Sequence, residues 1–288
     1  MRAVLPLLAA VAFLAAPARP YVLWGTSLSP TTHPFYIDPS LPISCNGTVA
    51  DQVGAILLAA QEWNVHGGAD FRFVFAGFET FPYAPGTSVL TFGTSCVGYP
   101  MANGLFVTCM FPDVPFDVSG SPPLFTFDLQ GSSVHQLGHA LGLGHTTVPG
   151  CSMYTQSVNA LEFRTIETDD IYGIQAIYGP LPSGVPALDY VGLPYVGQTI
   201  AVRLVNVAGP SVIGFDTVPG PTVVPGIGTV ELGLSPSVVL VPVLAPTTLF
   251  LPLPADPGLI GTTYYMHAVT LTGTSIVLSN PYRLAIPY

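Results

Sequence analysis

His135-Gln136-Leu137-Gly138-His139-Ala140-Leu141-Gly142-Leu143-Gly144-His145 is the stretch that decides how this chain is read. His135 and His139 lie four residues apart, so on a helix they share one face, one turn apart, and both imidazoles can reach a single metal ion. Gly142 lets the chain leave that helix in a conformation a larger side chain resists. The turn brings His145 back as a third ligand. Three neutral nitrogens with one position left open form the donor set of a catalytic rather than a structural zinc site. The other histidines, His33, His66 and His267, are isolated in sequence and read as core or capping residues.

Working outward, a helix is expected from Leu129–Ser133, where the serines can cap it, to Leu141. Upstream, Val53, Ile56, Leu57, Ala60 and Trp63 recur at three- and four-residue spacing, which predicts a helix over 51–65. Strands are expected at His33–Asp38, Phe71–Phe75, Ser88–Phe92 and Leu105–Thr108. A third helix should be capped by Thr168, carry Asp169 and Asp170 at the positive end of its dipole, and stop at Tyr178 before Gly179 and Pro180. From about Leu181 no helical period remains. Short apolar runs at Ile200–Leu204, Val238–Val243, Thr247–Leu253 and Thr262–Leu271, split by Pro and Gly, predict an all-β, sandwich-like domain. Its four acidic residues and one histidine are scattered and make no catalytic constellation.

The histidine stretch resembles the metzincin signature H-E-x-x-H-x-x-G-x-x-H in the form seen in matrixins. Cys151-Ser152-Met153-Tyr154 follows at the distance of that family's Met-turn, which implies that Met153 packs beneath the metal. Leu161–Gly179 resembles the closing helix of matrixin catalytic domains, and Phe127-Asp128-Leu129-Gln130 the approach to their active-site helix. The similarity spans roughly residues 21–180. It implies an α+β metzincin catalytic domain, one catalytic-type Zn2+ ion, and an extended peptide substrate held along the edge strand of the sheet. No calcium site is assigned from the Asp and Glu spacing, and no cysteine-switch segment is expected ahead of the first strand.

One position departs from the signature. The family places a glutamate after the first histidine as general base, and this chain has Gln136. Its amide oxygen can still accept a hydrogen bond from water, but a side-chain amide is not basic enough to take the proton. Hydrolysis is therefore expected to fall by roughly 10²–10⁴-fold, the share general acid–base catalysis usually supplies. A carboxylate from elsewhere could substitute, with Glu162, Glu167 and Asp128 nearest in sequence. The alternative is a pseudopeptidase that binds peptides or serves adhesion and structure without turnover.

Bulk properties bound the setting. Only 8% of the 288 residues are charged, six basic against sixteen acidic, for a net charge of −10. Every basic residue is arginine and none is clustered, which argues against nucleic acid as a partner. Hydrophobic residues make up 49% of the chain, well away from the composition of disorder. Arg2, the apolar run Ala3–Ala16 and Ala16-Pro17-Ala18 read as a signal peptide over 1–18, leaving a zinc domain over 19–180 and a β-rich module over 181–288. No second run is long enough to cross a bilayer, so a secreted or cell-surface protein is expected. Cys45, Cys96, Cys109 and Cys151 fit two disulfides in that compartment, the guessed pairing being Cys96–Cys109 and Cys45–Cys151.

Overall fold

A computed structural model describes residues 20–40, 44–93, 106–110, 114–155 and 159–288, with backbone alone at 107–110 and at Glu162. The expected signal segment at 1–18, Cys96 and Leu105 lie outside the described residues. The N-terminal half runs β1 (Val22–Leu23), β2 (Thr32–Ile37), α1 (Val49–His66), β3 (Arg72–Phe78), β4 (Val89–Phe92), β5 (Val107–Met110), β6 (Phe116–Asp117), β7 (Phe127–Asp128), α2 (Leu129–Ala140), β8 (Leu143–Gly144) and α3 (Thr168–Tyr178). Strands β3-β2-β4-β5 form a parallel sheet with β5 at one edge. The alternating burial of β2 puts Phe35 and Ile37 fully inside.

The three helices fall close to where the apolar spacing of 51–65 and the cap and stop signals of the other two predict, with different caps. Thr48 and Asp51 form a reciprocal capping box at the start of α1. At α2 the cap is Asp128, whose carboxylate accepts from Gly131 N–H at 2.6 Å, and not a serine. Ser133 is already inside the helix, its hydroxyl donating to Leu129 carbonyl. At α3 the cap is Glu167 rather than Thr168, because the Asp170 carboxylate accepts the Glu167 N–H at 2.9 Å and draws the first turn back by one residue. The core gathers Phe35, Ile56, Trp63, Phe73, Leu90, Leu137 and Leu141 between the sheet and the helices.

Residues 187–285 contain strands and one short 3₁₀ turn: β9 (Ala187–Val191), β10 (Thr199–Asp216), β11 (Pro219–Val224), β12 (Gly228–Leu232), β13 (Val239–Pro252), β14 (Thr263–Thr272), β15 (Ser275–Leu278) and β16 (Tyr282–Ala285). The runs at 238–243 and 247–253 are one strand, not two. Central β10 pairs along its length with edge strand β13, and the register shifts between Leu204 and Gly209, opposite Pro246. A proline is tolerated at such an irregularity because no ladder donor is missed there.

These strands are joined to the N-terminal half by buried side-chain amides. Gln61 exchanges two hydrogen bonds with the Gly192 backbone at 2.8 and 3.1 Å. Asn64 bonds Phe73 N–H and carbonyl and the Tyr282 hydroxyl, all buried. Tyr195 donates to Ala50 carbonyl, and Val74 of β3 belongs to the core of the C-terminal strands.

The guessed Cys45–Cys151 bridge is not formed: both are free thiols. The backbone holds them on different elements. Cys45 bridges to Phe116 ahead of α1, whereas Cys151 is buried in the turn that docks on α3. The Cys109 side chain lies outside the described residues, as does Cys96.

Candidate metal centre

Helix α2 presents the site. Leu129, Val134, Leu137, Ala140 and Leu141 are fully buried, and His135 and His139 stand one turn apart beside that stripe. Gly131 is required where the Ala160 carbonyl crosses the helix, since a Cβ would sit 1.8 Å from its oxygen. At the exit, Gly142 has φ +101° and faces Thr26 carbonyl, where a Cβ would come within 2.3 Å. That turn returns the chain through β8 to His145.

The three imidazoles converge through Nε2. His145 Nε2 lies 3.2 Å from Nε2 of both His135 and His139. A tetrahedral zinc ion with Zn–N near 2.0–2.1 Å separates its nitrogen ligands by roughly 3.3 Å, so the spacing fits. The opposite nitrogens are fixed by carbonyls: His135 Nδ1–H donates to Ser152 at 2.6 Å and His139 Nδ1–H to Leu143 at 2.9 Å. A carbonyl can only accept, so both rings carry their proton on Nδ1 and turn the Nε2 lone pair inward. Burial holds His135 down to about 4 and His139 to about 3, and lowers His145 as well, so the donors are neutral at ordinary pH. Among the described residues this is the one group of three such side chains gathered closely enough to hold an ion.

Met153 packs against α2 at Gly138 and is 1% exposed. Gly138 admits it: a Cβ there would be 2.2 Å from Met153 Sδ and 2.8 Å from Trp63 Cζ2. The turn holding Met153 is tied to α3, because the Asp170 carboxylate accepts both Ser152 N–H (2.7 Å) and Met153 N–H (3.1 Å). Two aromatic rings flank the ligands. Phe163 stacks on His135 with centroids 5.1 Å apart, and Trp24 on His139 at 4.7 Å with planes 9° apart.

Residues 55–179 match the family described as Matrixin. The chain carries a matrixin-like metzincin domain. It is similar to Metalloendoproteinase 4-MMP of Arabidopsis thaliana, 38% identical over 56 residues, which is 19% of this chain and 16% of that protein. It also resembles Metalloendoproteinase 1 of Glycine max (39% over 66 residues, 23% and 22%) and Matrilysin of Rattus norvegicus (48% over 48 residues, 16% and 18%). The chain thus spans less than a quarter of each of these relatives. A solved chain titled "Myokine structure" superposes over 37% of this chain and 100% of its own length at 10% identity and TM-score 0.25, too loosely to carry an argument. Matrixins use zinc, and the matrixin-like domain offers three histidines for it.

A cavity of about 300 Å³ opens beside His135 of the matrixin-like domain, lined by Val114, Phe116, Phe127, His135, Gln136 and Phe163 among others. Of the carboxylates near in sequence, Asp128 is fully buried and committed to structure. It caps α2 and accepts both Arg164 Nε (2.9 Å) and Nη2 (2.6 Å). Glu167 caps α3, and the Glu162 side chain lies outside the described residues. Sequence reasoning missed Trp24, Phe163 and Gly138, and it took Asp170 for a dipole residue only. Gly138, inside a helix that must pass another side chain closely, carried a usable signal. The two aromatic rings carried none, since nothing in their spacing links them to the histidines.

Proposed function

We propose that residues 19–180 form a secreted zinc metalloendopeptidase-type domain in which His135, His139 and His145 hold the ion and Gln136 occupies the general-base position, so that hydrolysis is much reduced. The observation that carries this reading is the convergence of three neutral imidazoles, with His145 Nε2 3.2 Å from Nε2 of both His135 and His139, beside a cavity that Gln136 lines. When bound, zinc supplies a Lewis-acid centre that polarises a peptide carbonyl and acidifies the attacking water. The chain's own residues do the rest. An extended peptide takes main-chain hydrogen bonds from β5, the strand at the edge of the sheet among the described residues, as strand addition requires. The apolar walls Val114, Phe116, Phe127 and Phe163 receive one apolar side chain. The Gln136 amide oxygen accepts a hydrogen bond from the attacking water without taking its proton, which leaves the proton-transfer step without a carrier.

The second reading, favoured by Gln136 itself, is a peptide-binding or adhesive module that keeps fold and metal without turnover. Residues 181–288 act in either case as a β-rich module attached to the zinc domain, and residues 1–18 direct export. The test is cleavage of a mixed peptide library by a chain beginning at Arg19, beside its Gln136→Glu variant, with and without a zinc chelator. We expect the variant to cut roughly 10²–10⁴-fold faster and the chelator to silence it. Equal chelator-sensitive rates in both would mean that another group supplies the base and that the protein is a working protease. No cleavage by either, with zinc bound, would favour the binding module.

A further inference from the structure

Trp24 is partly exposed, at 39%, yet its indole lies flat on a buried ligand ring. The backbone puts it there. Trp24 N–H donates to Gly142 carbonyl at 2.9 Å, and β1, the two residues before it, pairs with β8, the two residues before His145. Gly144 makes room: a Cβ there would lie 2.8 Å from Val22 Cγ1 and 2.9 Å from Trp24 Nε1. The three residues 22–24 therefore touch the helix exit turn, the approach to His145 and the face of His139 at once.

The geometry points to Trp24 as a positioning residue of the metal centre, one that raises zinc affinity by fixing the ring plane of His139. The inference rests on reading His135, His139 and His145 as zinc ligands. The hydrogen bond from His139 Nδ1 to Leu143 carbonyl fixes the direction in which Nε2 points but leaves the ring free to rock about that bond. A parallel indole at 4.7 Å removes that freedom. His135 is constrained in the same two ways, by Ser152 carbonyl and by Phe163. The stack also discriminates between loaded and empty states. An imidazole bound to a divalent cation becomes electron-poor, and the negative face of an indole attracts it more strongly than it attracts a neutral ring. A contact that strengthens on loading raises affinity, which a contact equal in both states cannot do.

The experiment measures the zinc dissociation constant by competition with a chromogenic chelator, on the full chain from Arg19 and its Trp24→Ala, Trp24→Leu and Trp24→Phe variants. Outer-shell partners of zinc histidines typically contribute roughly 10–100-fold in affinity. We expect Trp24→Ala and Trp24→Leu to bind at least about tenfold more weakly, and Trp24→Phe, which keeps a stacking face, to stay within about threefold. Tryptophan emission, from Trp24 and Trp63 only, is read in the same titration, and its zinc-dependent change should shrink in Trp24→Phe. If Trp24→Leu binds like the parent, apolar cover suffices and the stacking role is overturned. If Trp24→Ala proves unfolded in its metal-free thermal transition, the Leu and Phe variants, which keep bulk, decide the matter. A parent that binds no more tightly than a His139→Ala control would overturn the ligand assignment itself, and the stacking role with it.

Discussion

Helix α1 serves two neighbours, and it does so with two kinds of chemistry. Toward α2 it offers Trp63, whose indole N–H donates to Val134 carbonyl and whose ring closes the space under Gly138. Toward the C-terminal strands it offers Gln61 and Asn64, whose amides replace water at backbone and hydroxyl groups of Gly192, Phe73 and Tyr282. The metal centre is shaped by apolar packing and by carbonyls that hold Nδ1 of His135 and His139 and turn Nε2 inward toward His145. The joint is shaped by polar groups that answer one another, Gln61 with the Gly192 backbone and Asn64 with the Tyr282 hydroxyl. A buried polar group that finds its partner orders a fold, and one that does not is ready for a ligand.

The strongest way to break this contrast is to remove one side of it. Ending the chain after Pro180 would uncover Gln61 and Asn64 and strip Val74 of its packing, so we expect loss of cooperative unfolding by circular dichroism. A truncated chain with an undiminished transition would show the joint to be dispensable. Next in size, Asn64→Ala leaves the Phe73 N–H buried without an acceptor, which should cost roughly 1–3 kcal/mol in denaturant unfolding while zinc affinity holds. Gly138→Ala should do the reverse: about 1–3 kcal/mol of overpacking against Met153 and Trp63, accompanied by weaker zinc binding.

The smallest effect is a pH slope. His33, His135 and His139 are held below their ordinary value of 6.5, to about 4, 4 and 3, by burial. Between those values and 6.5 the unfolded chain binds protons that the folded chain refuses, so metal-free stability should fall as pH drops from 7 toward 4. Each histidine contributes at most about 1.4 kcal/mol per pH unit. Asp170, whose carboxyl burial raises, works the other way and blunts the slope. A metal-free melting temperature that stays flat from pH 7 to 5 would contradict the burial of these rings.

The two regions were unequally legible in the sequence. Ligand spacing is set by the helix itself, so His135 and His139 declared their shared face, and Gly142 its turn, before any tertiary structure was known. Val53, Ile56, Leu57, Ala60 and Trp63 likewise marked one face of α1. Gln61 and Asn64 did not mark the other, because a polar residue on a helix reads as solvated until a neighbour with matching groups arrives. The caps of α2 and α3 were misplaced for the same reason. Asp128 and Asp170 are committed by partners far along the chain, Arg164 in one case and the turn at Met153 in the other. The runs around Pro246 looked like two strands because a proline normally ends one, and the ladder's irregularity there removes the objection.

Edge strand β13 is 14 residues long, carries no charge, and leaves Leu244 and Phe250 more than 70% exposed. Bare, such an edge is a template on which a second chain could add a strand. Pro242 and Pro252 also lie on it, within its ladder with β10, and prolines persist inside a strand where their nitrogen faces the open side. An incoming strand would meet ring carbons at those positions in place of donors. With no lysine to repel a neighbour, the prolines act as the gatekeepers of this edge, opposing strand addition through backbone chemistry that neither salt nor pH can switch off.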